Sequence, residues 1–227
     1  MNKPIGILGL GDLGSQLAIQ IAGAGFDVIA FDRDKKAFED PRIHIAQSES
    51  EVLENCSIVH WAIPSKSLND LSDSLGDVVV ILHDSVMNNS WLALHERTDS
   101  GSFAIAHCLM NDERRVFVAS HGSHSEAVMQ HFESIGLSPK LTTASDHDVL
   151  MAHSQGILAT FIKSGLRNEL DRASSEGDLT PSGEELHRVL MKRELNWTLS
   201  TLESILANPE LKRSTLVTIS KTEDNRR

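Results

Sequence analysis

Residues 4–32 constrain this chain more than any other stretch. A short apolar run, Ile5 to Leu8, leads straight into Gly9-Leu10-Gly11-Asp12-Leu13-Gly14. An amphipathic segment follows, then a second apolar run, Val28 to Phe31, which ends on Asp32. The order strand, glycine turn, helix, strand, acid is that of the dinucleotide-binding fingerprint. Each glycine has its own task. Gly9 permits the tight turn, Gly11 keeps a Cβ out of the way of a pyrophosphate, and Gly14 lets the helix lie close on its strand. The phosphates then sit over a helix N-terminus, where unpaired N–H groups and the helix dipole favour an anion. Asp12 and Leu13 complete the cofactor-binding turn. The Asp32 carboxylate accepts hydrogen bonds from the adenosine ribose and repels a 2′-phosphate, which favours NAD; Arg33, next in the chain, keeps NADP possible.

With 227 residues the chain suffices for one large domain or two modest ones. Its net charge is −11, and no basic cluster outside the extreme C-terminus offers nucleic acid a surface. No run approaches the roughly 18 apolar residues of a membrane span. The N-terminus does not read as a signal peptide, because glycines and Asp12 break its apolar run. Cys56 and Cys108 make no disulfide framework and read as buried thiols. The expectation is a cytoplasmic protein acting on a small molecule, with neither nucleic acid nor membrane as partner.

Beyond the fingerprint, apolar runs at 57–63, 78–82, 102–106 and 116–119 read as strands, and 48–53, 67–75, 89–95 and 123–135 as helices. Such alternation predicts an α/β fold, a doubly wound Rossmann-type parallel sheet over residues 1–144. Near Ser145 the pattern turns helical. Leu158, Ile162, Leu166 and Leu170 follow at four-residue spacing. After a polar break containing Pro181, Leu195, Leu199, Leu202 and Leu206 form a second stripe. A small all-helical domain is therefore expected over 145–211, ending in a polar tail at 212–227. One small domain can hardly cover both leucine stripes, which points to a homodimer.

Three further segments carry chemistry: His83-Asp84-Ser85-Val86-Met87, Ala106-His107-Cys108, and Asp146-His147-Asp148 running on to His153-Ser154-Gln155-Gly156. In a doubly wound fold the ligand lies outside the carboxyl ends of the strands. Ser85 and His107 each follow an expected strand, so both are placed to face a nicotinamide. A histidine oriented by a serine hydroxyl is a sound general base for a hydroxyl proton.

Together, GLGDLG, IVHWAIPSKSL, HDSVM, AHCLM and DHDVLMAHSQG resemble the prephenate and arogenate dehydrogenases of tyrosine biosynthesis, over most of residues 4–170. The resemblance implies NAD(P)-dependent oxidation of a cyclohexadienyl carbinol with loss of the ring carboxylate. It makes His107 the catalytic base and Ser85 its hydrogen-bonding partner. Ile63 and Pro64 then adjoin the cofactor, and His153 and Gln155 line the substrate cleft. The chain departs from the family in having Cys108 where a proline follows the motif histidine, and Met87 where S-V-K has lysine. Arg167, Arg188 and Arg193 are the candidates for gripping a substrate carboxylate.

Other readings stand beside these. His147, flanked by two aspartates, reads as a helix-start residue that helps to cap. No histidine spacing suggests a metal site. Two alternative functions remain: another NAD(P)-dependent dehydrogenase or reductase of small hydroxy acids or imines, and a non-catalytic dinucleotide-binding protein.

Overall fold

The computed structural model describes residues 3–34, 38–63, 78–97, 103–109, 114–120, 124–156, 160, 166–178, 180, 181, 184, 187 and 205–211. The expected helix at 67–75, Pro64, Arg188, Arg193, Leu195, Leu199, Leu202 and the tail at 212–227 lie outside them. The chain divides into two compact units, Met1–His147 and Asp148–Arg227.

The first unit is built on one sheet. Its strands are β1 (Ile5–Leu8), β2 (Val28–Phe31), β3 (Ile43–Ile45), β4 (Ile58–Trp61), β5 (Val79–His83), β6 (Phe103–Cys108), β7 (Arg115–Ser120) and β8 (Ser138–Leu141). They lie in the order β3-β2-β1-β4-β5-β6-β7-β8, parallel except where β6 meets β7. The helices are α1 (Asp12–Gly23), α2 (Glu49–Asn55), α3 (Met87–Arg97), α4 (Ser125–Ser134) and α5 (Ala144–Met151). This is the expected doubly wound α/β fold. Strand order reverses between β1 and β4, so the crevice that binds ligands in such sheets opens at their carboxyl ends.

Burial on both faces explains the nearly unbroken apolar strands; every residue of β5 is buried. One face carries Ile5, Ile7, Val79, Ile81, Ala104, Ala106, Val116 and Val118, packed against Leu17 and Ile21 of α1 and Val128 and Phe132 of α4. α1 stops because Gly25 takes a positive φ of 94°, a conformation that favours glycine. β3 and β8 were not expected. β3 spans only three residues, and β8 reads Ser-Pro-Lys-Leu. Pro139 is tolerated because β8 is an edge strand.

The described residues of the second unit are mainly helical. α5 gives way to a π turn over Ala152–Gly156, and a further helix, α6, spans Leu166–Glu176. The regular helix expected from Ser145 onward is thus corrected at Ala152. There the Ser154 hydroxyl donates to the Leu150 carbonyl at 3.0 Å, a local bond of the kind that bends helices. Asn208 Nδ2 donates to the Asp148 carbonyl at 2.9 Å.

Candidate functional site

The glycine turn joins β1 to α1 as its sequence requires. Gly9 has φ +90°, and a Cβ there would stand 2.9 Å from both the Ala62 carbonyl oxygen and Ile63 Cγ1. A Cβ on Gly14 would stand 1.9 Å from the Gly9 carbonyl oxygen. Gly11 differs: a Cβ there would meet nothing within 4 Å. Gly11 is also the N-cap of α1 and supplies no side-chain cap, so the first turn keeps amide donors for an anion. Close packing at Gly9 and Gly14 with open space at Gly11 fits a pyrophosphate on the turn.

Asp32 ends β2 and ties the turn in place. Its Oδ2 accepts from the Leu10 amide, and its Oδ1 accepts from the Asp34 amide at 2.9 Å. Arg33 beside it is exposed, as is Asp12 in the first turn of α1, while Leu13 packs partly against the core. Ile63 is half-buried.

At the carboxyl end of β5 the chain turns into α3. Asp84 accepts from the Val86 amide at 3.1 Å and from the Ser90 hydroxyl, which holds half-buried Ser85 in the turn. His107 is not beyond its strand, as the sequence suggested, but inside β6, opposite Phe117 of β7. It is buried, and its Nδ1 lies 2.9 Å from Nε2 of His147. Among the described residues no hydrogen bond joins it to Ser85; its Nδ1 meets His147 instead.

The reading of His147 as a cap is corrected too. Thr143 caps α5, its Oγ1 accepting from the Asp146 amide at 3.0 Å and donating to the Asp146 carboxylate at 2.7 Å. His147 lies one residue further on and turns inward, 1 % exposed, packed edge-on against His107 and Phe117. Burial, then the neighbouring His147 and His83, pushes the His107 imidazolium pKa down to about 3. His107 is therefore a neutral imidazole at any ordinary pH.

On the opposite face of the sheet lies a group the sequence did not reveal. His131 Nε2 of α4 is 2.8 Å from His60 Nε2 of β4, and His60 Nδ1 is 2.9 Å from His83 Nε2 of β5. His83 Nδ1 in turn is 3.7 Å from Cys108 Sγ. Linear spacing gives no hint of this row; only strand register, with His60 opposite Ile81, two residues before His83, puts His60 and His83 on one face. In the second unit, His153 is exposed and Gln155 half-buried, its Oε1 without a hydrogen-bond partner. The side chain of Arg167, in α6, is outside what is described.

Residues 4–81 match the family model of the NAD binding domain of 6-phosphogluconate dehydrogenase. Among solved structures, the fold is similar to that of prephenate dehydrogenase from A. aeolicus in complex with hydroxyphenyl propionate and NAD+, at TM-score 0.72 and 15 % identity, covering 99 % of this chain and 89 % of that one. Synechocystis arogenate dehydrogenase is similar at TM-score 0.64 and 18 % identity, over 98 % and 92 % of the two chains. Plasmodium falciparum pyrroline carboxylate reductase with NADP bound is similar at 0.58 and 17 %, over 99 % and 92 %. A sequence comparison with curated proteins gives no match. The chain therefore has the NAD(P)-binding oxidoreductase fold, and it resembles the prephenate and arogenate dehydrogenases at low sequence identity.

Proposed function

We propose that this protein is an NAD-dependent dehydrogenase of the prephenate or arogenate kind, with His107 as the general base. One observation carries the reading. His107 Nδ1 is engaged by His147, while its Nε2 has no partner among the described residues and stays available to a substrate hydroxyl. A bound nicotinamide supplies the hydride acceptor. The fingerprint holds the cofactor by the Gly11 opening and the amides of the α1 first turn, and by Asp32 at the ribose. Asp12 and Leu13 contribute backbone donors, because the Asp12 carboxylate has the sign of a phosphate. Arg33 and Ile63 would complete the cofactor contacts, and Pro64, His153 and Gln155 are the further cofactor and substrate contacts the resemblance implies.

As hydride leaves the carbinol carbon, positive charge would build there unless the hydroxyl proton departs as well. His107 Nε2 accepts that proton, and the imidazolium so formed donates from Nδ1 to His147 Nε2. The carbon–carbon bond to the ring carboxylate then breaks with release of carbon dioxide. Its electron pair enters the ring, which becomes aromatic, and the former carbinol oxygen takes the proton back from the His107 imidazolium to become a phenol. Ser85 stands in the turn after β5 as a second polar contact for the hydroxyl.

The test is reduction of NAD+ by purified protein with prephenate and with arogenate, followed as absorbance of the reduced cofactor. His107→Asn is expected to lower turnover by about a hundred- to ten-thousand-fold with NAD affinity unchanged. Undiminished turnover would overturn the assignment. The likeness to pyrroline carboxylate reductase with NADP bound favours a second reading, reduction of a cyclic imine. Oxidation of NADPH with pyrroline carboxylate, without turnover of either cyclohexadienyl acid, would select it.

A further inference from the structure

Three imidazoles in direct contact are an odd filling for the space between a sheet and a helix. Aliphatic side chains would occupy it with no polar group to desolvate, whereas each buried ring nitrogen needs a partner. The row supplies those partners internally. Both nitrogens of His60 and both of His83 are used within it, at 2.8 and 2.9 Å between rings and 3.7 Å to the Cys108 sulfur. His60, in the middle, is 0 % exposed, and the row's ends lie in different elements: His131 in α4, and Cys108 as the last residue of β6.

A neutral imidazole carries one N–H and one lone pair, so the tautomer of each ring dictates that of the next. Only two orders satisfy the whole row. In one, the Cys108 thiol donates to His83 Nδ1, His83 Nε2–H to His60 Nδ1, and His60 Nε2–H to His131 Nε2, leaving the proton of His131 on Nδ1. In the other, every donor is reversed: His131 Nε2–H donates to His60 Nε2, His60 Nδ1–H to His83 Nε2, and His83 Nδ1–H to the sulfur.

We propose that Cys108, His83, His60 and His131 form a two-position proton relay between the carboxyl edge of β5 and β6 and helix α4. A proton taken up at the Cys108 sulfur while one leaves His131 Nδ1 converts the first order into the second. Each N–H···N contact passes its own proton along, and no ring has to rotate. A proton moving the opposite way restores the first order, so each throw carries one proton equivalent. Cys108 directly follows His107 in β6 and its side chain lies on the opposite face of the strand, so the relay begins at the carboxyl edge of the sheet, one residue from the proposed base. The inference goes beyond the proposed reaction, and its test needs no substrate.

The experiment is nitrogen NMR of ¹⁵N-histidine-labelled protein at neutral pH, with rings assigned by single substitutions. A relay requires that His60, His83 and His131 share one pair of tautomer populations and exchange together, so that each shows averaged nitrogen resonances. It also requires that Cys108→Ala, which removes the thiol donor, shifts the tautomer balance of His131 at the far end. In His60→Leu that distant response is expected to vanish. Wild-type rings frozen in a single order, or unequal populations along the row, would overturn the relay and leave a static hydrogen-bonded row. If His60→Leu does not fold, Cys108→Ala alone decides: a His131 spectrum unchanged by it overturns the proposal. Absence of dehydrogenase activity would leave all these outcomes where they are.

Discussion

Acid should unfold this protein far earlier than an ordinary carboxylate-stabilised domain. Burial, reinforced by neighbouring histidines, holds the imidazolium pKa of His83 and His107 at about 3 and that of buried His131 at about 4, and pushes that of His60 well below its usual value. In the unfolded chain each returns to about 6.5. The unfolded state therefore binds more protons than the folded one whenever pH falls below that value, so stability declines with acidification. The contribution of these groups is fully present above about pH 7.5, erodes as pH falls through 6.5, and goes on eroding until the folded-state values near 3–4 are reached.

At pH 5.5 an unfolded-state histidine of pKa about 6.5 gains roughly 1.4 kcal/mol from protonation that a neutral buried ring forgoes. Four such rings amount to about 6 kcal/mol, against a total stability of about 5–15 kcal/mol for a typical domain. Urea titrations between pH 8 and 5.5, read by tryptophan fluorescence, should show a midpoint that falls steadily at a constant slope m. His131→Phe should flatten that dependence by about one proton, even if it lowers stability at pH 8. A wild-type stability constant to within about 1 kcal/mol over this range would refute the reasoning, since it would mean that these rings are not held neutral by burial.

The fingerprint makes two sharper expectations. Gly11→Ala, whose added methyl meets open space, should leave stability within about 0.5 kcal/mol of wild type yet weaken NAD binding roughly tenfold or more; Gly14→Ala, forced against the Gly9 carbonyl, should cost about 3 kcal/mol of stability. Calorimetry with and without NAD separates the two, and equal NAD affinity in Gly11→Ala would remove the pyrophosphate from the turn. NAD should bind more tightly than NADP in tryptophan-fluorescence titrations, with Asp32→Ser narrowing the gap; a wild-type preference for NADP would remove the ribose role of Asp32.

What was legible in the sequence is what depends on neighbours in the chain. β1, the glycine turn, α1, β2 and Asp32 form one contiguous unit whose residue types each answer a local demand, so their order could be read directly. β3 and β8 could not: three residues give no usable period, and Ser-Pro-Lys-Leu pairs only because β7 offers an edge. The site divides the same way. Phosphate-binding residues lie within a few positions of one another, whereas the partner of His107 is 40 residues away and the helical partner of His60 is 71 away. Neither pairing follows from composition or periodicity, because both arise where strands β4 to β6 receive helices from later in the chain. A histidine in such a fold has no readable role until the register is known. Ser85 follows the neighbouring strand and the resemblance makes it the orienting partner, yet the Asp84 turn holds it there while α5 brings His147 onto the ring.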